Sequence, residues 1–423
     1  MKYDVIIVGA GAAGLMAMRD LLEAGCTVCL LEAADTAGGR IETITEDGFD
    51  MPVETGSEFI HGKLPATFKL LKEAGLSYEA VKGDMIGVKN GEWQKEEHDE
   101  HWDEFTRQLD KLKADLSIHE FLNQYFSDPK YLQLRQSVQR FAEGFDLADI
   151  SKASILSIRE EWKDISHTQY RIHGGYIGII NYLLECCTRS SNATIHFKTC
   201  VIKIVHRKGH VIVHTNDKRE FVACKIVITV SAGVLQSGTL RFEPEVTKHA
   251  VAINSLGFGT AMKILLQFKT MFWKEYADNI GFLLTNEEIP TWWTQLPTET
   301  SLLTGWLGGS RAAEKAFESQ ESLLQTALQS LSGIFHIPVA VLRDQITHHK
   351  IINWQNKSFI KGGYCYNSLN SEQARKVLST PVGDTLYFAG EALLDGGMVE
   401  DALKSGRNAA TRLITQPHTQ TQG

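Results

Sequence analysis

Tyr3-Asp4-Val5-Ile6-Ile7-Val8 runs into Gly9-Ala10-Gly11-Ala12-Ala13-Gly14, and Leu15 to Ala24, Gly25 and Thr27 to Leu31 follow, closed by Glu32. The apolar run ending at Val8 predicts a short buried strand. The stretch from Leu15 to Ala24 predicts a helix stopped by Gly25, and Thr27 to Leu31 a second strand. Between them stands a GxGxxG turn in which each glycine has a physical task. Gly9 permits the tight turn. Gly11, with only Ala12 and Ala13 behind it, lets the backbone approach a pyrophosphate. Gly14 lets helix and strand pack closely. The start of the helix offers free N–H groups and the positive end of a dipole to phosphates. Glu32, at the tip of the second strand, is placed to accept the hydroxyls of an adenosine ribose. The pattern predicts a dinucleotide site, and by itself it does not choose between dinucleotides.

A chain of 423 residues is too long for one small core and predicts at least two domains. A net charge of -8, with no basic run, argues against nucleic acid as a partner. Residues 4–18 are apolar, but three glycines interrupt them and no basic stretch precedes them, so they read as nucleotide fold rather than a secretion signal. No apolar run reaches the roughly 20 residues that cross a bilayer, so no membrane partner is expected. Seven cysteines without framework spacing point to the reducing cytoplasm. Cys26 and Cys29 form a CxxC, but within a strand they face opposite ways. His348-His349 does so too, and no third ligand accompanies it, so no metal site is expected.

Residues 96–116 are charged, with Trp102, Phe105, Leu109, Leu112 and Leu116 recurring at helical spacing. Ser117 and Glu120 form a capping-box pattern before Phe121. The stretch 96–165 is therefore expected to be mainly helical, and Cys186-Cys187 to lie in a helix. From about 194 the texture becomes short strands, ending in the longer apolar run Lys225 to Val230. Further strands are expected near 261–268, 281–284 and 302–306, with a helix near 321–332. The chain then returns to a buried strand, Leu386 to Ala389, and a helix over about 398–414. The expected fold is α/β: a discontinuous Rossmann-like dinucleotide domain (1–75, 191–240, 351–415) with a mixed-sheet and helical substrate domain (76–190, 241–350). Residues 416–423 are expected to be a frayed tail.

Thr36-Ala37-Gly38-Gly39-Arg40 follows Glu32 closely. Its glycines allow close approach, and Arg40 is suited to clamp a phosphate or a neighbouring carboxylate. Such a Gly-Gly-Arg, about seven residues past the acid that ends the second strand, resembles the flavin-containing amine oxidases. The resemblance recurs along the chain. Glu54-Thr55-Gly56-Ser57-Glu58-Phe59-Ile60-His61-Gly62 is similar to the flavin-contacting turn of polyamine oxidases. Ala261-Met262-Lys263-Ile264 is similar to the flavin-lysine strand. Trp354 with Gly362-Gly363-Tyr364, and Phe388-Ala389-Gly390-Glu391 with Gly397-Met398-Val399-Glu400, resemble the segments around the flavin ring and the C-terminal FAD motif.

The resemblance implies FAD as cofactor. It implies contacts from Gly9, Gly11, Ala13, Gly14, Glu32, Gly38, Gly39, Arg40, Gly56, Ser57 and Glu58. It implies further contacts from Val201 (at adenine), Trp354, Gly390, Glu391 (at the ribityl hydroxyls), Met398 and Val399. It places Lys263 near flavin N5 through a water, where it assists flavin oxidation. A lysine apolar on both sides is costly to bury without compensation, which agrees with a functional role, although an edge-strand lysine reaching solvent remains the plain alternative. The resemblance turns His61 to the substrate, to orient the amine or take its proton. The helix from Met398 is expected to aim its N–H groups at the flavin pyrimidine. Trp292-Trp293 are candidates for the substrate cavity or for packing.

Two departures stand out. Where monoamine oxidases carry two cage tyrosines, this chain has Cys365 and Met398, and Tyr364 falls where those enzymes bind FAD covalently. Non-covalent FAD and an incomplete cage in a substrate pocket of Tyr364 and Cys365 are therefore expected. A shift of one residue puts Tyr364 in the cage instead. The implied activity is polyamine-oxidase-like oxidation of an amine C–N bond to an imine, with hydride transfer to flavin N5 and reoxidation by O2 to H2O2. Two alternatives stay open: an FAD-dependent desaturase or dehydrogenase on a non-amine substrate, and a non-catalytic FAD-binding protein.

Overall fold

Two large sheets and three small ones form among the described residues. The computed structural model describes residues 2–89, 91–95, 100–162 and 168–415. The expected tail 416–423 lies outside these, as do 96–99 and 163–165 of the expected helical stretch.

The first strand forms over Lys2–Val8, the first helix over Ala12–Glu23 and the second strand over Val28–Leu31. The helix begins directly after Gly11, earlier than its apolar run suggested, because Ala12 and Ala13 already turn within it. Cys26 precedes the second strand instead of lying in it, and it still packs on the opposite face from Cys29. Both strands join an eight-stranded sheet whose centre is parallel. Ala193–His196 flanks the second strand, and Glu220–Ile228 flanks the first. The long strand Glu220–Ile228 divides its edge. Its first half carries an antiparallel hairpin, and its second half pairs in parallel with Leu386–Phe388. Segments far apart in sequence thus complete one sheet.

Alternation decides the layers. Val5, Ile7, Val28, Leu30, Val227 and Tyr387 face a layer of helices that includes the first helix, Ile177–Thr188 and Val399–Thr415. Ile6, Val8, Cys29, Leu31, Ile226 and Ile228 face the other side, covered by Thr247–Ser255 and Ser371–Leu378. A sheet apolar on both faces is the signature of a covered parallel sheet. Helix Ile177–Thr188, expected within the substrate part, packs on the first helix instead. Its Ile179, Ile180 and Leu183 match that layer.

The second sheet has seven strands, ordered Ile346–Asn353, Ala261–Phe268, Leu302–Gly308, Thr291–Trp293, Ile280–Thr285, Asp84–Lys89 and Glu92–Lys95. Met262, Ile264, Leu266 and Phe268 turn toward helix Gln320–Phe335. The odd positions Ala261 and Leu265 face the other way, toward Trp354 and Tyr364. The expected helical stretch holds Trp102–Asp110, Ile118–Tyr125, Leu132–Gly144 and Ile155–Trp162 around its own apolar cluster. The helix expected over 96–116 ends at Asp110. Leu112 and Leu116 still reach the cluster, but from the turn that brings Ser117 into position for its capping box with Glu120. Among the described residues no helix is long and apolar enough to cross a membrane.

Candidate active site

The glycine turn shows by its geometry which atoms need room. Gly9 has φ +108°, closed to most side chains, and a Cβ on Gly14 would stand 2.0 Å from the Gly9 carbonyl oxygen. A Cβ on Gly11, by contrast, would meet nothing nearer than the Gly38 oxygen at 3.8 Å. Protein packing therefore leaves the space beside Gly11 open, as a pyrophosphate requires. Glu32 sits behind the turn, its Oε2 accepting from Ala10 N at 2.6 Å and its Oε1 from Ala34 N at 2.8 Å. Thr199 N reaches the Glu32 carbonyl at 2.7 Å, which brings the start of the Val201 strand alongside.

A cavity of about 2670 Å³ opens here, and its wall carries Gly9, Gly11, Ala13, Glu32, Gly38, Gly39, Arg40 and Val201. The same wall includes Gly56, Ser57, Glu58, His61, Lys263, Trp354, Tyr364, Cys365, Glu391, Met398 and Val399. Gly14 and Gly390 stand behind it. Gly14 supports the turn, and Gly390 N donates to Ser405 Oγ at 3.1 Å.

Of the two partners expected for Arg40, the structure shows the carboxylate. Its Nη1 pairs with Glu391 Oε1 and donates to the Gly363 carbonyl at 2.9 Å. The second Glu391 oxygen, Oε2, is buried without a hydrogen-bond partner. A buried carboxylate oxygen on a cavity wall is a vacant acceptor, and this one fits a hydroxylated ligand such as a ribityl chain. The open Gly11 and this acceptor are the two features that fit FAD to the cavity. Trp354 is buried, and its indole N–H donates to the Thr55 carbonyl at 3.0 Å, fixing the ring against the Gly56 turn.

Lys263 is central, not peripheral. Its strand pairs on both sides, with Trp306 and Ile352 as its register partners. At 1 % exposure it cannot reach solvent, which removes the edge-strand alternative. Its ammonium lies 2.6 Å from Glu58 Oε2 and donates to the Gly56 carbonyl at 3.1 Å. The cost of burying this lysine does not by itself imply function, because Glu58 compensates its charge. Glu58, expected as a cofactor contact, turns its carboxylate to Lys263, Arg171 and Trp293.

His61 lies on a two-residue strand, Ile60–His61, held against Gln169–Ile172. Burial pushes its imidazole down to about 4, so it is neutral near pH 7. Phe59 and Phe145 present ring edges to it at 6.0 and 5.6 Å. Trp293 reaches the cavity wall, whereas Trp292 is core, its N–H given to the Ile289 carbonyl.

Tyr364 and Cys365 separate as neighbours on an extended chain do. Tyr364 packs with Leu147, Ala261 and Trp354 on the side of the lysine strand, and its hydroxyl bonds the Phe145 carbonyl. Cys365 turns into the core of the dinucleotide sheet, beside Glu391. Burial and that carboxylate push its thiol well up, leaving it unreactive. Tyr364, and not Cys365, therefore shares a face with the lysine strand. At the closing helix, Met398 N donates to Asp401 Oδ2 at 3.1 Å, so one of the N–H groups expected for the flavin is already capped. Glu400 reaches away to helix Pro65–Ala74, accepting from Ala66 N, Thr67 N and Thr67 Oγ1 at 3.0, 2.8 and 2.9 Å.

Sequence reasoning did not single out Arg171 or Glu54. Arg171 sits at 3.0 Å from Glu58, and Glu54 is a buried carboxyl that burial raises to about 7. A charged residue in a two- to four-residue strand carries no local signal of this.

Dinucleotide sheet, open glycine turn and vacant Glu391 acceptor on one cavity define a dinucleotide-binding protein. The model of the flavin-containing amine oxidoreductases matches residues 12–414, and the chain belongs to that family. It is similar to polyamine oxidase 2 of Arabidopsis thaliana, 28 % identical, over 96 % of this chain and 87 % of that protein. Similarity to lysine-specific histone demethylase 1 homolog 1 of the same plant is 27 % over 92 % of this chain, which spans 49 % of the demethylase. Among solved structures, putrescine oxidase bound to putrescine superposes with a TM-score of 0.81 at 20 % identity, covering 98 % of this chain and 99 % of that one. Cyclohexylamine oxidase from Brevibacterium oxydans does so at 0.80 and 22 %, with the same coverage. These structural likenesses show the fold. The protein is an FAD-dependent amine oxidase. The desaturase and non-catalytic alternatives find no support.

Proposed function

We propose that the protein oxidises a small amine, of the diamine or polyamine class that its similar relatives suggest, to an imine, with O2 as acceptor and H2O2 as product. The observation that carries this reading is one cavity wall that brings the glycine turn, the vacant Glu391 acceptor and Lys263 together with Phe59, Trp293 and Tyr364. Bound FAD would supply the oxidant, taking hydride from the carbon that bears the nitrogen and passing the electrons to O2.

The chain's residues supply position, dryness and charge. Gly11 and the first helix would hold the pyrophosphate, Glu32 a ribose, and Glu391 the ribityl hydroxyls, while Val201, Trp354 and Val399 would border the rings. His61, with a pKa near 4, is too weak a base to strip an ammonium. Its neutral ring accepts a hydrogen bond and orients the amine. Phe59, Phe282, Trp293, Trp306 and Tyr364 line the wall and exclude water around the reacting carbon. Met398 stands on the wall where an aromatic partner for Tyr364 is expected, so only one side of the cage is aromatic. Lys263 holds a proton near the oxidised face and assists reaction with O2.

FAD is held without a covalent bond, since Tyr364 stands where a linking cysteine is expected, with its hydroxyl on the Phe145 carbonyl, and the Cys365 thiol is buried and unreactive; yellow colour retained in an acid-precipitated pellet would refute this. Cofactor binding divides to segments 1–75, 191–240 and 351–415 with the helices Ile177–Thr188 and Thr247–Ser255 that cover their sheet, and substrate choice to the rest of 76–190 and 241–350. The cysteines are unpaired, which supports a cytoplasmic site of action. A fluorescent fusion found elsewhere would overturn that. The central test is anaerobic mixing of the holoenzyme with a diamine, a polyamine, an arylalkyl monoamine and an amino acid. Bleaching of the flavin by at least one amine is expected, with stoichiometric peroxide on admitting air. If none bleaches it, the amine reading fails.

A further inference from the structure

Glu58 gathers every donor its carboxylate can use. Oε2 pairs with Lys263 Nζ at 2.6 Å. Oε1 accepts from Arg171 Nε and Nη2 at 3.1 and 3.0 Å, and from Trp293 Nε1 at 3.0 Å. Trp293 also lends its ring to the Lys263 ammonium, 5.6 Å from the centroid. Two cations thus share one anion in a buried place.

The groups that face this ammonium come from several elements. Glu58 and Glu54 belong to the turn and strand before His61, Arg171 to the strand Gln169–Ile172, and Trp293 to Thr291–Trp293. The flanking strands contribute Trp306 and Ile352, which do not titrate. Burial alone would raise the Glu58 carboxyl, but Lys263 and Arg171 outweigh it and hold Glu58 below its usual range. Glu54 is occupied elsewhere, accepting from Tyr176 N and Thr43 Oγ1. Of the two acids only Glu58 bonds the lysine. An ammonium has three protons. Glu58 and the Gly56 carbonyl take two, leaving one for a group in the cavity.

We propose that Glu58 is the positioning residue of Lys263, fixing both where its ammonium stands and that it stays charged. Without the carboxylate, Lys263 and Arg171 would be two buried cations bonded to no acid, since Glu54 is held by Tyr176 and Thr43, and the lysine is the one able to shed its proton. The inference rests on the proposed role of Lys263 in reoxidation, and the test separates the two.

The experiment compares holoenzymes of the wild type, Glu58→Gln, Glu58→Asp and Lys263→Met. It follows reoxidation by O2 from pH 6 to 9, and the reduction potential of the bound flavin over the same range. Wild type is expected to show no tenfold fall, the ionisation of Glu54 near pH 7 being present in every variant. Glu58→Gln should match it near pH 6, then fall about tenfold through a new ionisation, with a break in the potential at the same pH. Lys263→Met should be slow throughout and show no break. Glu58→Asp keeps the charge and shortens the reach. It should show no such fall but run severalfold slower, at an unchanged rate of reduction by amine.

A Glu58→Gln profile without that fall and with an unbroken potential overturns the inference, even if that variant is uniformly slower, because uniform slowing is what a merely structural role gives. If Glu58→Gln does not hold FAD, Glu58→Asp decides, and wild-type reoxidation in it overturns the positioning claim. Wild-type rates in Lys263→Met would instead sink the reading of the lysine.

Discussion

The glycine turn and the lysine strand border one cavity, yet they are built by opposite means. The turn works with main chain: N–H groups, a carbonyl crowded against Gly14, and an open space beside Gly11. The lysine region works with side chains: Glu58, Lys263, Arg171, Trp293 and Tyr364 arrive from scattered segments and depend on one another. A main-chain site tolerates nothing added, whereas a side-chain site tolerates nothing removed.

The largest effect tests the first half. Gly14→Val would drive a Cβ into the Gly9 carbonyl, 2.0 Å away. The variant should yield no flavin-bearing protein, read as the ratio of flavin to protein absorbance. Gly11→Ala meets no protein atom closer than 3.8 Å, so it should fold with the stability of wild-type apoprotein while binding FAD more weakly. Wild-type FAD affinity in Gly11→Ala would break the comparison, because the space would then not be reserved for a ligand.

On the other side, Lys263→Met should slow reoxidation by about 100-fold, the lower range for a positioned proton donor. Stopped-flow mixing of reduced enzyme with oxygen measures it, and reduction by the amine should change far less.

The next effect concerns Glu54. An unfolded carboxyl ionises near 4.5, whereas the buried one stays protonated to about 7. Stability from this group is therefore complete below pH 4.5 and lost as pH rises to 7. Glu54→Gln should equal wild type at pH 4.5 and exceed it at pH 8, by on the order of 1–3 kcal/mol, in urea unfolding. His61 has the opposite sign. It is neutral in the fold down to about pH 4 but charges near 6.5 when unfolded, so stability should fall as pH falls from 6.5 to 4. Thermal melts of His61→Gln across that window should slope less than wild type.

The smallest expected change is Tyr364→Phe. It deletes one hydroxyl bond to the Phe145 carbonyl and should cost about 1 kcal/mol. A larger loss would mean that this bond, and not the packing around it, sets the shape of the side-chain site.

The same contrast explains what could be read in advance. The βαβ opening, Glu32, the Arg40 loop, the lysine strand and the capping box at Ser117 are local patterns, and they fold where their spacing places them. Arg40 could be paired with a carboxylate in principle, but that Glu391 is the partner needed the fold. Glu58 was visible only as part of a turn, because its meaning comes from Lys263 and Arg171 arriving later in the chain. Cys365 and Tyr364 could not be told apart from sequence, since a shift of one residue exchanges their faces. The strand pairing with Phe258 decided it.

At Gly406 the two ends of the chain meet. A Cβ there would stand 2.1 Å from the Ala13 carbonyl oxygen, so the closing helix seats directly on the helix that starts the dinucleotide turn. Glu400 of the same helix caps Pro65–Ala74. At roughly 5–20 residues per second of synthesis, residue 399 leaves the ribosome tens of seconds after residue 12. Throughout that interval the nascent βαβ unit lacks both its covering helix and the Leu386–Phe388 strand. A ribosome stalled before the closing helix would carry a chain with the glycine turn but without the helix that packs on it.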